Sequence, residues 1–254
     1  MMQHDVVSRE AWIEARTALL AREKALTRLR DEIAAARRAL PWVSIEKPYV
    51  FDAPDGRKTL ADLFDGRSQL FIQHFMMAPG QQGQCVGCSF EADHIEATLA
   101  HLQNHDVSFA AVARAPITEI EAVRQRMGWR FPFVSSFGSD FNYDFNVSFR
   151  PEEVAAKRAT YNYQQIDPGL EDLHGCSAFY RDEQGRIFHT YSTYGRGAEP
   201  LIGTYVILDM MPKGRNEKGD LTDWVRPRTM YGKGGTVEPN GRYHASEGCC
   251  APQP

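Results

Sequence analysis

Apolar residues recur every seven positions in the first forty residues, and charged residues and alanines fill most of the places between them. The repeat is made up of Trp12, Leu19, Leu26, Ile33 and Leu40. Because a seven-residue repeat places one narrow apolar stripe along an α-helix, the pattern predicts a long helix. Ser8 is a good N-cap for it, and Pro41 ends it. The stripe either lies along its own domain or pairs with another subunit, and its length favours a homodimer through this helix.

After Pro41 the apolar runs become shorter and alternate between strand-like and helix-like spacing. The pattern predicts a hairpin around 53–56, strands at 69–77, 107–113 and 131–135, and helices at 85–105 and 117–127. Strands that alternate with helices over short links form βαβ units, and these give a parallel sheet covered on both faces.

The second half of the chain has a different pattern. Runs at 176–181 and 186–193 flank a turn sequence and predict a second hairpin, and 204–210 is either a strand or a helical segment. A βαβαβ half followed by a hairpin is the order of a thioredoxin-type sheet. Between the halves, 137–173 is rich in aromatic residues, and we expect an ordered insertion that packs near the site.

The fold class expected from these elements is α/β: a thioredoxin-like sheet with flanking helices, a long N-terminal helix and an aromatic-rich insertion. The predicted parts are an N-terminal helix at 1–41, the thioredoxin-like domain at 42–212 and a partly flexible C-terminal extension at 213–254.

Charge and composition exclude several classes of partner. The chain of 254 residues has 29 basic and 33 acidic residues, a net charge of −4, with no long tract of one sign. This balance argues against nucleic acid or anionic membranes as partners. The start lacks the pattern of a secretion signal, and no run approaches the ~20 apolar residues that cross a bilayer. We therefore expect a soluble, cytoplasmic protein. Five cysteines are too few and too unevenly spaced for a secreted disulfide framework.

The strongest chemical signal is Cys85-Val86-Gly87-Cys88, between a strand-like run and an amphipathic helix. At a helix N-terminus, free backbone N–H groups and the helix dipole favour the thiolate and lower its pKa. Cys85 is then the attacking sulfur. Cys88 lies one turn further along the helix and can displace a bound partner by closing a disulfide.

Two other interpretations of the pair remain open: half of a zinc site, or two buried thiols that only pack. Zinc takes about four ligands, and the chain has no second Cys-x-x-Cys or matching histidine pair. Only His74, His94, His174 or the tail cysteines are left to complete such a site. We expect a redox pair that needs neither a metal ion nor a cofactor.

Other candidates for the site carry weaker signals. Asp93 and His74 are close in sequence to the cysteine pair and could assist proton transfer or stabilise a thiolate, although a solvated helix face and a strand end are equally ordinary places for them. Cys176 is expected inside a strand as a small apolar residue. Cys249 and Cys250, adjacent in the tail, could pass electrons or a soft metal ion to the inner pair.

Two polar segments could line a pocket. Strand alternation in 189–197 places His189, Tyr191 and Thr193 on one face and Thr190, Ser192 and Tyr194 on the other. The segment 138–144 offers acidic side chains, although the same residue types are common in turns.

Several longer motifs run through about residues 8–215 of the chain. They are Lys47-Pro48-Tyr49, Gly66-Arg67-Ser68-Gln69-Leu70, His74-Phe75-Met76, Cys85-x-x-Cys88-Ser89-Phe90-x-Ala92-Asp93, Gly138-Ser139-Asp140-Phe141-Asn142-Tyr143-Asp144-Phe145 and His189-Thr190-Tyr191-Ser192-Thr193-Tyr194-x-Arg196-Gly197. Together they resemble the DUF899 family, whose members are described as predicted dithiol-disulfide oxidoreductases of thioredoxin-like fold. The resemblance implies redox roles for Cys85 and Cys88 alone. Thioredoxin-like proteins usually hold a cis-proline opposite the pair, but here His174 and Gly175 occupy that place.

The leading functional hypothesis is a thiol-disulfide oxidoreductase in which Cys85 attacks and Cys88 resolves. Its partners would be a disulfide-containing protein or a small thiol substrate, together with an unknown electron donor. The alternatives are a peroxiredoxin-like peroxidase that uses Cys85, and a non-enzymatic module whose thiols bind metal or pack.

Overall fold

The heptad pattern does form a helix in the computed structural model, which describes residues 4–81 and 83–246. The chain divides into two compact units, Met1–Pro41 and Trp42–Pro254. The first contains helix α1, Arg9–Arg38. The Ser8 hydroxyl caps it by accepting a hydrogen bond from the Ala11 N–H, so the predicted start of the helix is confirmed. No residue of α1 is buried.

The second unit contains the remaining elements. Its helices are α2 Val86–Glu96, α3 Leu99–Asn104, α4 Ile117–Met127, α5 Phe141–Asp144, α6 Pro151–Ala155 and α7 Gly203–Leu208, with 3-10 turns at Asp62–Phe64, Gly195–Leu201 and Leu221–Asp223. Its strands are β1 Val43–Ser44, β2 Val50–Ala53, β3 Gly56–Thr59, β4 Gln69–His74, β5 Gln84–Cys85, β6 Val107–Ala113, β7 Phe133–Ser135, β8 Ala159–Tyr161, β9 Gln164–Ile166, β10 Gly175–Arg181, β11 Ile187–Tyr194, β12 Thr236–Val237 and β13 Arg242–His244.

Eight strands form the main sheet in the order β1-β11-β10-β4-β6-β7-β2-β3. Strands β4, β6 and β7 are parallel, as the predicted βαβαβ half requires. The hairpin β10-β11 is antiparallel to the outer edge of β4. A parallel βαβ unit whose first strand also pairs with an antiparallel hairpin, with Cys-x-x-Cys at the start of the helix after that strand, is the thioredoxin-like arrangement. The protein therefore has a thioredoxin-like α/β fold.

Both faces of this sheet are covered, because the residues of the buried strand β6 alternate between two cores. Phe109, Ala111 and Ala113 pack in the core that contains the residues of α2 and α4. Ala110 and Val112 pack in the other core, which includes Phe141, Phe145 and Val147 of the aromatic-rich insertion, and so the insertion is an ordered covering layer.

The structure corrects one predicted element and decides another that the sequence left open. The single helix expected at 85–105 is interrupted after α2, where the Thr98 N–H and hydroxyl both bond to the Ile95 carbonyl and tighten the turn. The ambiguous segment 204–210 is helical, as α7.

Part of the C-terminal extension is ordered. Strand β13 pairs with both β12 and β5 in a small three-stranded sheet, and β5 contains Cys85. This sheet positions residues near the end of the chain beside the cysteine pair. In the part of the chain that the structure describes, no helix has the length and hydrophobicity required to span a bilayer.

Candidate functional site

Cys85 is the N-cap of α2, with an extended backbone, and its sulfur accepts a hydrogen bond from the Cys88 N–H at 3.4 Å. The sequence places it there because β5 ends at this residue and the apolar helix follows directly. An N-cap acceptor satisfies one of the free N–H groups of the first turn. The local fold thus directs a backbone donor at Cys85 Sγ.

Cys88 lies one turn further on and is held more deeply. Its side chain is 1% exposed, against 5% for Cys85. The Met76 N–H, in the segment after β4, points at Cys88 Sγ from 3.4 Å, and the Met76 thioether lies 4.0 Å from Cys85 Sγ. Neither cysteine is in a disulfide, so the structure shows the dithiol form.

The pair opens onto a partly open cavity of about 270 Å³. Besides the pair, the residues that line it come mainly from the turn Gly195–Leu201 and α7 after it, the turn Leu221–Asp223, and the loop before β13. Gly241, in the loop before β13, lies close to the Cys85 thiol: a Cβ at this position would be 3.8 Å from Cys85 Sγ. The cavity is therefore bounded by elements from distant parts of the chain.

A second group of polar side chains lies beside the pair. His174 and Glu91 both line the cavity, and their Nε2 and Oε2 atoms are 2.6 Å apart. The other carboxylate oxygen of Glu91 accepts a hydrogen bond from the Cys176 thiol at 3.1 Å. Glu91 and Cys176 are buried, at 2% and 0% exposure. A buried carboxylate requires such partners, because an unpaired one would be strongly unfavourable.

These contacts give the three thiols different pKa values. The side-chain hydrogen bond with Cys88, the N–H groups of Cys88 and Gly87 and the charge of His174 lower the pKa of Cys85 to about 7, although burial opposes them. Burial and the neighbouring Cys85 sulfur raise the pKa of Cys88, and burial together with Glu91 raises that of Cys176. Near neutral pH, Cys85 is the thiol that carries thiolate character.

His174 supplies positive charge close to this thiolate. Burial lowers the pKa of His174, but the charge and hydrogen bond of Glu91 and the Cys85 sulfur outweigh it and raise the pKa. Its backbone is fixed by the insertion, where the Tyr161 hydroxyl donates to the His174 carbonyl at 2.6 Å. His174 therefore lines the cavity beside the cysteine pair, at the position where thioredoxin-like proteins usually have a cis-proline.

A family model described as "Bacterial protein of unknown function (DUF899)" matches residues 1–231. The chain belongs to the DUF899 family. A comparison with curated proteins found no match for the chain.

Solved structures similar to this DUF899 protein include peroxiredoxins. Peroxiredoxin Q of Xanthomonas campestris is 14% identical, with 64% of this chain and 96% of that chain covered and a TM-score of 0.40. Peroxidoxin BcpB of Mycobacterium tuberculosis is 11% identical, with 64% and 94% covered and a TM-score of 0.42. Because both scores are below 0.5, these similarities decide nothing about the chemistry of the DUF899 chain, and its strand order alone defines the fold.

Two of the weaker candidates lie away from the sulfurs. His74 is buried, with its Nε2 2.8 Å from the Ser177 hydroxyl and its ring against Phe141 and Phe145. Burial lowers the pKa of His74 to about 3, so it is neutral and does not stabilise a thiolate. Asp93 accepts from the Trp129 indole at 2.7 Å and pairs with Arg228 at 3.0 Å, so its carboxylate is engaged by these groups.

The polar strand β11 departs from simple alternation. The register of β10 and β11 shifts between Ala178 and Phe179, and Thr190 is the extra residue opposite them. Such a bulge rotates the following side chains. His189 and Ser192, predicted on opposite faces, are hydrogen-bonded at 2.7 Å instead. The prediction of two separate faces is therefore wrong at this point.

The remaining candidates have other partners or lie outside the described residues. Asp140 and Asp144 hold the Lys47 ammonium at 2.8 and 2.7 Å, so the 138–144 segment forms a structural ion pair. Cys249 and Cys250 lie outside the described residues.

Sequence reasoning missed Glu91 and the loop before β13. Glu91 lies on α2 one turn after Cys88 and could have been noticed, because an acidic residue on the apolar side of a buried helix needs a partner. Nothing in the sequence connects Gly241 with Cys85.

Proposed function

We propose that this DUF899 protein is a thiol-disulfide oxidoreductase in which Cys85 attacks and Cys88 resolves. The observation that carries the proposal is the N-cap geometry of Cys85. Backbone N–H groups and the His174 charge favour its thiolate, and the Cys88 sulfur is within hydrogen-bonding reach on the next turn.

In the proposed reaction, the Cys85 thiolate attacks one sulfur of a disulfide and forms a mixed disulfide, while the other half leaves as a thiolate. The Cys88 thiol then loses its proton to that leaving group and attacks Cys85 Sγ. The second half of the substrate leaves as a thiolate, and the protein holds a Cys85–Cys88 disulfide. An external dithiol donor returns it to the reduced state.

The burial of both sulfurs limits the substrate. Attack on a disulfide needs a nearly linear approach of three sulfur atoms, and Cys85 is only 5% exposed at the wall of a cavity of about 270 Å³. A folded protein disulfide would not enter this space. We therefore favour small disulfides as substrates over protein disulfides.

The same burial favours peroxide reduction as a second candidate function. The Cys85 thiolate would attack one peroxide oxygen, break the O–O bond and become a sulfenic acid, while the other oxygen leaves as hydroxide or alkoxide and takes a proton from solvent water. Cys88 would then condense with the sulfenic acid, release water and close the same disulfide.

The test compares the two oxidants on the reduced protein. Hydroxyethyl disulfide and hydrogen peroxide are each mixed with the wild type, and thiol loss is followed in time. We expect one disulfide, Cys85–Cys88, with hydroxyethyl disulfide as the faster oxidant per mole. A faster reaction with peroxide would support the second function. A Cys85→Ser chain that is oxidised as quickly as the wild type would overturn both, and the exposed His101→Gln is the control that should react like the wild type.

A further inference from the structure

Three different metal-binding side chains converge next to the dithiol. Glu91 comes from α2, His174 from the loop before β10, and Cys176 from β10 itself. Each offers one ligand atom, and all three atoms lie within 4.8 Å of one another. In the part of the chain that the structure describes, Cys85 and Cys88 belong to no such group of three, so this cluster is distinct from the redox pair.

The spacing of the ligand atoms is close to that of a tetrahedral metal site. Nε2 of His174 lies 2.6 Å from Oε2 of Glu91, Sγ of Cys176 lies 3.1 Å from the other carboxylate oxygen, Oε1, and Sγ and Nε2 are 3.9 Å apart. Zinc bonds of about 2.0–2.3 Å at tetrahedral angles put ligand atoms roughly 3.3–3.8 Å apart. One carboxylate oxygen, Nε2 and Sγ lie within 4.8 Å of one another, so shifts of about 1 Å would bring them to these separations.

The charge of the cluster also suits a divalent ion. The buried Glu91 carboxylate faces an imidazole nitrogen and a thiol. A metal ion binds a thiol in its deprotonated form, so the carboxylate and the thiolate together would balance the two charges of a divalent cation. A buried cation with two anionic ligands avoids most of the cost of burying an unpaired charge.

We propose that Glu91, His174 and Cys176 form a binding site for a borderline-soft divalent cation of the zinc class. Sulfur, imidazole and carboxylate ligands together suit zinc and its neighbours in the first transition row, whereas magnesium and calcium prefer oxygen ligands alone. The sequence predicted no metal, because these residues are separated along the chain and only the fold unites them.

The fourth coordination position lies on the cavity side. Glu91 and His174 line the cavity that Cys85 also lines, while Cys176 is fully buried behind them. An ion would enter through this cavity, and a water molecule or a small anionic ligand in the cavity would complete its coordination. Three protein ligands with one open position is the pattern of zinc sites that bind an exchangeable ligand.

Cobalt(II) is the probe, because a thiolate ligand gives it a near-ultraviolet charge-transfer band and tetrahedral coordination gives it visible bands. The test protein is the full chain with Cys85, Cys88, Cys249 and Cys250 all changed to serine. The chain has five cysteines, so Cys176 is then its single thiol. We expect one cobalt ion per chain, with both sets of bands.

Further changes in that background assign the ligands. Cys176→Ala should remove the charge-transfer band, and Glu91→Gln or His174→Gln should weaken cobalt binding at least about tenfold, since even outer-shell changes have effects of that size. The exposed His101→Gln is the matched control and should bind as tightly as its parent. Circular dichroism checks that each variant is folded.

Either of two results would overturn the site: a single-thiol chain that shows no charge-transfer band, or a band that persists with Cys176 replaced. If Cys176→Ala does not fold, equal cobalt affinity in the folded Glu91→Gln, His174→Gln and parent chains would overturn it as well. The proposed function is unaffected by these outcomes, because the test protein lacks both redox cysteines.

Discussion

The N–H of Val86, the residue after the first cysteine, donates a 2.8 Å hydrogen bond to the carbonyl of Gly241. Through this bond and the adjacent backbone pair of Cys85 with Arg242, a strand near the C-terminus lies directly against the cysteine pair. The segment that forms this contact lies beyond residue 231, where the match to the family model ends.

Removing this strand should expose the reactive thiol. In a chain that ends at residue 231, we expect a bulky maleimide to modify Cys85 about tenfold faster, which corresponds to about 1.4 kcal/mol of lost protection. A chain that ends at residue 246 keeps β13 and loses both tail cysteines, so it is the matched control. Mass spectrometry of the modified peptide measures both rates, and equal rates would show that β13 does not shield the site.

The reactivity of Cys85 should follow a pKa of about 7. The thiolate is the reactive form, so the rate of alkylation by iodoacetamide should level off above this pH and fall about tenfold for each unit below it. Cys88, with a raised pKa, should react far more slowly across the same range. Peptide-resolved alkylation at several pH values checks this, and a midpoint for Cys85 at or above the usual thiol pKa would contradict it.

Replacement of the resolving thiol should trap the intermediate. Cys88→Ser removes the sulfur that attacks Cys85, so hydroxyethyl disulfide should leave a stable adduct on Cys85 that a reductant releases. The reciprocal Cys85→Ser should form no adduct, because the pKa of Cys88 is raised and its sulfur is buried. Intact-mass measurement distinguishes the two, and an adduct on Cys88 would reverse the assigned roles.

The aromatic-rich insertion should depend on a buried ion pair. Arg114, directly after β6, contacts Asp172 through two hydrogen bonds of 2.7 and 3.1 Å, and Ser148 donates to the same carboxylate. Asp172→Ala would leave the Arg114 guanidinium buried without this partner and should lower the free energy of unfolding by about 3–5 kcal/mol. Chemical denaturation measures it.

A surface ion pair provides the comparison. Asp55→Ala breaks an exposed pair with Lys58 and should leave the denaturation midpoint unchanged. If Asp172→Ala also left the midpoint unchanged, the insertion would not be held by this pair.

The apolar stripe of α1 should pair with a second copy of the chain. Leu26 lies in the middle of the stripe and is 47% exposed. Leu26→Asp would place a charge in an apolar contact between subunits and should convert a dimer to a monomer, with the reactivity of Cys85 unchanged. Light scattering reports the mass, and Lys24→Asp, outside the repeat, should remain dimeric. A wild type that is monomeric at micromolar concentration would disprove the pairing.

The sequence by itself determined the elements that depend on near neighbours. The seven-residue repeat and Ser8 are sufficient for α1, because helical periodicity and capping act over a few residues. The start of a helix at Cys85 was predictable for the same reason, and with it the position of the thiol at the helix N-terminus. The order of strands and helices then restricted the sheet to a thioredoxin-like topology, since βαβ connections have few permitted arrangements.

Only the tertiary structure decided which distant residues surround the sulfurs. Glu91, His174 and Cys176 meet because β10 pairs with β4, whose chain continues toward α2, and no local pattern encodes that encounter. Thr190 becomes a bulge only in register with β10, which is why alternation failed for His189 and Ser192. The contact of Gly241 with the start of α2 likewise arises from strand pairing between segments far apart in the chain. These segments are joined by backbone hydrogen bonds, which nearly every residue type can form, so the side chains do not show which segments pair.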